Sequence, residues 1–233
     1  MGFICYSATQ CFMAIDPESF DKPVKDYDFA SLSDSKSLID QMGDAGGFTA
    51  TKLADARDIL KDMRTEIDAV DADSSKVTNW LSFPACLCAT GTRGFFVEAI
   101  KTKMFNVVST TCGTLDHDIA RAYKHYYHGA FELDDIELGE HQLMRLGNVI
   151  VPNASYGEII ESVVMPVLED IRNDRMAETG KQGADLWLGF GSIHLVWELG
   201  KRIGTPDSLI YWAYKNKIPV CIPGITDGSI GAQ

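Results

Sequence analysis

The stretch Asn106–Asp118, with the sequence NVVSTTCGTLDHD, decides the fold that we predict for this chain. Its two consecutive valines suit a buried strand, because β-branched side chains pack well on a pleated surface. Gly113 permits a sharp turn, and Asp116 or Asp118 lies near the start of the next helical pattern. In open α/β sheets such a turn lies at the carboxyl edge of the sheet, where ligands bind. The alternative is an ordinary connection between a strand and a helix with solvated acids, since the GxGxxG fingerprint is absent.

Helical and strand patterns alternate on both sides of this stretch. They predict helices over residues 32–42, 49–67, 94–103, 119–127, 156–171, part of 186–204 and 208–216, and strands over 77–89, 106–110, 147–151 and 218–222. Alternation of this kind predicts an α/β fold with a doubly wound, mainly parallel, Rossmann-like sheet. We expect an irregular N-terminal arm over residues 1–30, one domain over residues 31–233, and a polar surface insertion at residues 173–183.

Composition and charge restrict the classes of partner. The 233 residues are 45% hydrophobic and 23% charged, as in globular proteins, and the net charge of −12 argues against a nucleic-acid partner. A cationic small molecule or a partner with a basic patch fits this charge better. The six cysteines form no CxxC pair, which indicates reduced thiols. We predict a cytoplasmic protein, because no apolar run is long enough for a membrane helix and no convincing signal peptide is present.

Metal binding is not expected. His125 and His128 stand three residues apart in a predicted helix, but no carboxylate or third ligand accompanies them at helical spacing.

Three strand ends are predicted to meet at the carboxyl edge of the sheet. Two of them carry polar segments, Thr111–Asp118 and Thr226–Ser229, and the third carries residues 84–90, which are small and apolar. Such segments allow close approach of the backbone to a ligand and supply hydrogen-bonding side chains. The pattern indicates a dinucleotide-type crevice whose turn differs from the standard fingerprint.

At these residues the sequence resembles the deoxyhypusine synthase family, from about Tyr27 to the last residue. The motifs that carry the resemblance, in this order and spacing, are STTCGTLDHDIAR, YYHGAF, RLGNVIVPNASY, IYWAYKNKIPV and ITDGSIG. The resemblance implies NAD-dependent transfer of the aminobutyl group of spermidine to a lysine of the hypusine-bearing translation factor. It implies an imine on an enzyme lysine as the intermediate, and a tetramer with NAD and polyamine between paired subunits.

The resemblance also implies roles for individual residues. NAD binding falls on Ala85, Cys86, Leu87, Cys88, Ala89, Thr111, Cys112, Gly113, His117 and Asp227, and polyamine binding falls on Asp116 and His117. Where the family commonly has serine and asparagine, the first stretch is apolar, so backbone contacts to NAD are expected there. His117 replaces one acid of a glutamate pair, and Ala232 replaces a polyamine-binding aspartate. We therefore expect fewer negative charges around the amine, or a different polyamine.

The family pattern continues past the position of Gln233, through a second NAD-binding region and the nucleophilic lysine. We therefore expect no catalytic residue on this chain, and a companion C-terminal chain that brings the lysine. Processing, including self-catalysed cleavage, or a split gene would supply such a chain, and an artificial truncation is the alternative. Two other functions stay open. One is a non-catalytic paralogue that activates an active subunit, and the other is a related polyamine enzyme such as homospermidine synthase.

Overall fold

The computed structural model describes residues 3–5, 11–13, 22–68 and 77–233. The chain forms two compact units, Met1–Ser75 and Lys76–Gln233, and each is described by itself. Much of the predicted arm at residues 1–30 falls outside the described residues. The division into an arm and one domain therefore stays a prediction.

The described residues of the first unit include a short antiparallel pair and two α-helices. These are β1 (Phe3–Cys5), β2 (Cys11–Met13), α1 (Ser35–Ala45) and α2 (Ala50–Asp68), and a 3-10 helix at Phe29–Ser31 precedes α1. Asp34 caps α1, because its carboxylate accepts a hydrogen bond of 2.7 Å from the Ser37 amide. Gly46, with φ of 69°, ends that helix in the left-handed conformation. The helix predicted to end at residue 42 continues past Gly43, where an added Cβ would lie 2.9 Å from the Ala54 Cβ.

A parallel sheet organises the second unit, which confirms the predicted α/β class. Its three strands are β3 (Trp80–Phe83), β4 (Val107–Thr110) and β8 (Val220–Cys221), with β4 in the centre. Helix α3 (Arg93–Lys101) connects β3 to β4, and α4 (Gly113–Tyr123) follows β4. The fully buried Val108 and Val220 face each other in register on the two neighbouring strands.

Four further helices lie in the C-terminal half of this unit. They are α6 (Gly157–Thr179), α7 (Ser192–Ile203), α8 (Leu209–Asn216) and α9 (Ser229–Ala232). Side chains of α4, α6, α7 and α8 contribute much of the buried core, including Leu115, Ile119, Ile160, Val164, Leu199, Leu209 and Ile210. An added Cβ at Gly200 of α7 would lie 2.2 Å from the Ile210 carbonyl oxygen, so this contact between α7 and α8 admits glycine alone. None of the helices in the described ranges combines the length and the apolar character that a bilayer span needs.

A second, antiparallel sheet lies between α4 and α6 in the chain. Its strands are β5 (Tyr127–His128), β6 (Leu143–Leu146) and β7 (Val149–Pro152), in the order β5–β7–β6, and α5 (Asp135–Glu140) precedes β6. Sequence patterns predicted the strand near residues 147–151 but missed the two strands that pair with it. These partners are too short, or too mixed in composition, to show a period of two.

Two predicted elements are wrong in extent. The strand predicted over residues 77–89 ends at Phe83, because Pro84 cannot donate to a ladder, and residues Ala85–Ala89 form a 3-10 helix. The Trp80 side chain in this strand is 58% exposed, so the strand is not buried on both faces.

The helix predicted over residues 119–127 instead begins at Gly113 and ends at Tyr123. His128 lies on β5, so the proposed helical spacing of His125 and His128 does not exist. Within the described ranges, no cluster of three or more histidine, cysteine or acidic residues could hold a metal ion.

The polar segment 173–183, predicted to be a surface insertion, begins as a continuation of α6. This helix runs through Thr179 and ends at Gly180, which has φ of 65°. Within the segment, Asp174 Oδ2 accepts a charged hydrogen bond of 2.6 Å from Arg202 Nη2 on α7.

Candidate functional site

A cavity of about 400 Å³ opens at the carboxyl edge of the parallel sheet. The ends of the three strands and the residues after them line it: Ser82, Phe83 and Pro84 at the end of β3, Ser109, Thr110 and Thr111 at the end of β4, and Pro223, Gly224 and Asp227 after β8. Ligands bind at this edge in open α/β sheets. The volume of the cavity lies within the usual range of ligand clefts. The structure therefore has a cavity where the sequence predicts a ligand-binding crevice.

Hydroxyl groups of β4 hold two walls of the cavity together. Thr111 Oγ1 accepts a hydrogen bond of 3.0 Å from the Ala85 amide, and Thr110 Oγ1 donates one of 2.7 Å to the Phe83 carbonyl oxygen. An added Cβ at Gly113 would lie 3.0 Å from the Ala85 Cβ, so the start of α4 packs directly on the segment after β3. The threonines thus fix the ends of β3 and β4 relative to each other.

The predicted NAD-binding segment Ala85–Ala89 lies next to the cavity but does not line it. Its 3-10 helix turns away after Pro84, with Cys88 and Ala89 buried and Cys86 exposed. Burial raises the pKa of the Cys88 thiol to about 12, which keeps this group neutral. Arg121 of α4 donates a hydrogen bond of 2.8 Å to the Cys88 carbonyl oxygen and so anchors the segment from behind.

Asp227 lies at the rim of the cavity on a 3-10 turn. This turn, Ile225–Asp227, follows β8, and the Asp227 amide donates a hydrogen bond of 3.1 Å to the Gly224 carbonyl oxygen. The carboxylate folds over Gly224, where an added Cβ would lie 2.2 Å from Asp227 Oδ2. Asp227 is exposed, and no donor within the described ranges bonds to its carboxylate. It is thus available to accept hydrogen bonds from a ligand.

Asp116 lies beneath this surface, with none of its area exposed. Its Oδ2 accepts hydrogen bonds of 2.9 Å from the Tyr156 hydroxyl and 2.8 Å from the Ser229 amide. Its Oδ1 accepts one of 3.0 Å from the Ile230 amide. The carboxylate therefore caps the start of α9, and both of its oxygens are engaged by protein donors. A direct contact between Asp116 and an ammonium group stays a prediction.

His117 lies beside two tyrosines. Its Nδ1 is 3.0 Å from the Tyr126 hydroxyl, and its ring centre is 5.4 Å from that of Tyr156. Burial lowers the pKa of His117, and the neighbouring Asp116 carboxylate opposes that shift only in part. A neutral imidazole at this position can accept a proton or hold a polar group of a ligand.

Asp118, which the sequence did not mark as functional, lies in a cluster of buried polar groups. Its carboxylate pairs with Arg93 Nε at 2.8 Å and accepts a hydrogen bond of 2.7 Å from Ser208 Oγ. It also accepts hydrogen bonds of 3.1 Å from the Leu209 amide and 3.2 Å from the Ile210 amide. Asp118 therefore caps the start of α8. No local pattern reveals this role, because Ser208 lies 90 residues further along the chain.

Of the predicted ligand-binding residues, Thr111 and Asp227 meet at the cavity. Cys112 is buried under the turn that carries Asp227, since an added Cβ at Gly228 would lie 2.8 Å from its Sγ. Sequence analysis missed the other lining residues, which are Ser82, Phe83, Ser109, Thr110, Pro223 and Gly224. The first four are the last two residues of β3 and of β4, and Pro223 and Gly224 follow β8, so the ends of predicted parallel strands are the signal that marks them.

Comparisons with known proteins identify the family of this chain. The sequence model of the deoxyhypusine synthase family matches residues 37–233. A protein of Picrophilus torridus is 45% identical over 216 residues, and one of Thermoplasma acidophilum is 43% identical over 216 residues. Both are named "Probable deoxyhypusine synthase", and each alignment covers 93% of this chain and 63% of the relative. The chain thus spans less than two thirds of the length of these relatives.

A solved structure supports the fold. The crystal structure of an Entamoeba histolytica protein assigned as a deoxyhypusine synthase superposes with a TM-score of 0.57, at 17% identity. The superposition covers 90% of this chain and 65% of the other. At this identity the similarity bears on the fold alone, whereas the family match extends over most of the sequence. This chain therefore belongs to the deoxyhypusine synthase family.

Proposed function

We propose that this chain supplies the cofactor-binding edge of a deoxyhypusine synthase, which transfers the aminobutyl group of spermidine to a lysine of a translation factor. The observation that carries the proposal is the cavity where three parallel strands end beside an exposed carboxylate. Family membership gives this cavity its expected ligands, NAD and a polyamine.

The residues around the cavity suit a dinucleotide. Asp227 would accept hydrogen bonds from a ribose hydroxyl, and Thr111 presents an exposed polar backbone and side chain at the opposite wall. Gly224, Ser82 and Ser109 leave room for a ligand close to the backbone. Bound NAD would supply a hydride acceptor for the oxidation of the polyamine.

The chain's own electrostatics favour a polyamine. The net charge of −12 attracts a multiply charged cation and raises its local concentration. His117, whose lowered pKa favours the neutral imidazole, would orient an amine without placing a positive charge beside it. Asp116 would contribute through its negative charge beneath the surface, as well as through the hydrogen bonds that hold α9.

The nucleophile is proposed to come from another polypeptide segment. No lysine occurs among the residues that line the cavity. Aminobutyl transfer through an imine needs an amine at the reacting carbon. We therefore propose that the complete enzyme assembles with a companion chain or a further segment, in a cytoplasmic oligomer that also binds the translation factor.

Replacement of Asp227 by alanine tests the cofactor site. We expect NAD to bind the variant about two- to tenfold more weakly by calorimetry, because one or two hydrogen bonds to the ligand are lost. Asp207→Ala is the matched control, since Asp207 is also exposed but lies before α8, away from the cavity lining. Equal NAD affinity of the two variants would remove Asp227 from the site, and an absence of NAD binding to the wild-type chain would contradict the proposed cofactor.

A second candidate function is a non-catalytic chain that activates a catalytic family member. It is favoured by the engagement of both Asp116 oxygens with protein donors, which leaves fewer carboxylates for substrate ammonium groups. Spermidine-dependent formation of NADH separates the two functions. Activity with a companion segment that carries the lysine supports the first, whereas stimulation of an already active family member supports the second.

A further inference from the structure

The Tyr156 hydroxyl lies between an acid of α4 and the first residue of α9. It donates a hydrogen bond of 2.9 Å to Asp116 Oδ2 and accepts one of 3.1 Å from Ser229 Oγ. The Ser229 amide in turn donates to the same Asp116 oxygen at 2.8 Å. Tyr156, Asp116 and Ser229 thus form a closed triangle of hydrogen bonds, which we call the Tyr156 triangle.

Two corners of the Tyr156 triangle belong to well-packed helices. Tyr156 directly precedes α6, whose Ile160 is fully buried one turn later. Asp116 belongs to the first turn of α4, next to the fully buried Leu115. Both groups are therefore held by the core, whereas Ser229 begins a helix of only four residues.

The segment at the third corner carries the cavity carboxylate. Asp227 precedes Ser229 by two residues, and Gly228 between them has no room for a side chain, since an added Cβ would lie 2.7 Å from Asp116 Oδ2. An added Cβ at Gly231 would lie 1.8 Å from the Ile225 carbonyl oxygen, so α9 folds back onto the turn. A displacement of Ser229 would therefore displace Asp227 as well.

The direction of the hydrogen bonds in the Tyr156 triangle is defined by chemistry. Burial raises the pKa of Tyr156 to about 12, so the hydroxyl keeps its proton at neutral pH. The Asp116 carboxylate can only accept, and the Tyr156 hydroxyl is therefore its donor. The substitution Tyr156→Phe would remove the hydrogen bond that the hydroxyl donates to Asp116 Oδ2. It would also remove the acceptor of the Ser229 hydroxyl.

We propose that Tyr156 is a positioning residue for the cofactor site: through Asp116 and Ser229 it holds the Asp227 carboxylate at the rim of the cavity. The inference rests on the proposed NAD site for its functional part. Its structural part, the attachment of the 225–232 segment to α4 and α6, stands on the described hydrogen bonds alone.

The first test needs no ligand. In Tyr156→Phe, hydrogen exchange of peptides that cover residues 224–233 should become several-fold faster, while peptides of the parallel sheet keep their wild-type rates. Tyr123→Phe is the matched control, because Tyr123 is partly exposed and its hydroxyl has no hydrogen-bond partner among the residues the structure describes. Unchanged exchange in residues 224–233 of Tyr156→Phe would overturn the proposal.

The second test asks whether Tyr156 acts through Asp227. We expect Tyr156→Phe to bind NAD about two- to tenfold more weakly than wild type, and the same change in an Asp227→Ala chain to cause little further loss. A full additional loss in the double variant, or wild-type affinity in Tyr156→Phe, would overturn the positioning role. If the wild-type chain does not bind NAD, the proposed cofactor site is wrong, and the exchange measurement still decides whether Tyr156 holds the turn.

Discussion

Two aspartates of α4, Asp116 and Asp118, each cap the start of another helix, but their hydrogen-bond donors differ in charge. Both are completely buried, and both cap a helix that lies far along the chain. Asp118 caps α8 and has the guanidinium of Arg93 as a counter-charge. Asp116 caps α9, and its hydrogen-bond donors are the neutral Tyr156 hydroxyl and two backbone amides.

The partners of the two aspartates lie in different parts of the unit, those of Asp118 in the core and those of Asp116 next to the cavity. The partners of Asp118 belong to α3 and to the start of α8, which pack in the core of the unit. The partners of Asp116 adjoin Asp227 at the cavity. One type of interaction, a buried carboxylate at a helix start, thus stabilises the fold in one place and positions a ligand-binding turn in the other.

The largest effect is expected at Asp118. In Asp118→Asn the Arg93 guanidinium would lose its counter-charge in a buried position, so we expect the free energy of unfolding to fall by about 3–5 kcal/mol. Urea denaturation measures this change, and Asp170→Asn, a change of an exposed acid on α6, serves as the control. A loss no larger than that of the control would show that the two aspartates do not differ as described.

A smaller and different effect is expected at Asp116. Asp116→Asn should lower the free energy of unfolding by about 1–3 kcal/mol, because an amide can replace only part of the acceptor capacity of the carboxylate. Since its partners adjoin Asp227, it should also weaken NAD binding in the variant that remains folded. Calorimetry at a temperature where both proteins are folded measures this. Loss of stability without loss of NAD affinity would place Asp116 with Asp118 in the scaffold.

The smallest effect concerns His117, which lies between the two aspartates in the sequence. Its folded-state pKa lies below the ordinary value of 6.5, chiefly because the ring is buried. As the pH falls below 6.5, the imidazole of the unfolded chain takes up a proton that the imidazole of the folded chain does not. The free energy of unfolding should therefore decrease as the pH falls below 6.5, and this contribution should be fully present above that pH. Urea midpoints at about pH 7.5 and about pH 5.5 should therefore differ less in His117→Gln than in wild type. His141→Gln, at an exposed position, is the control, and an equal pH dependence in all three proteins would contradict the buried neutral imidazole.

Much of the fold could be predicted from local patterns. The strand at residues 106–110 and the helices at 94–103 and 208–216 have strong apolar or capping signals, and the structure contains β4, α3 and α8 there. The carboxyl-edge location of Thr111 and Asp227 followed from the same reasoning, because parallel strands bring their ends to one edge. These features depend on residues that are close together in the sequence.

The predictions that failed depend on tertiary contacts or on single residues. Pro84 ends β3 inside an apolar run that otherwise continues to Ala89. The start of α4 at Gly113 is not favoured by local propensity, and the packing of Gly113 on Ala85 stabilises it instead. The roles of Asp116, Asp118 and Tyr156 could not be read from the sequence, because their hydrogen-bond partners lie far away along the chain. Tyr156 lies 40 residues after Asp116, Ser208 lies 90 residues after Asp118, and Ser229 lies 113 residues after Asp116.

These separations have a consequence for folding during synthesis. Ser208 lies 90 residues after Asp118, and Ser229 lies 113 residues after Asp116. A ribosome therefore produces the two acids and the central strand long before Ser208 and Ser229 emerge, at rates of about 5–20 residues per second. For several seconds the nascent chain carries both carboxylates without the helix starts that they cap, although Arg93 is already present to pair with Asp118. The pairing of β8 with β4 is consequently a late and non-local step, of the kind that forms slowly.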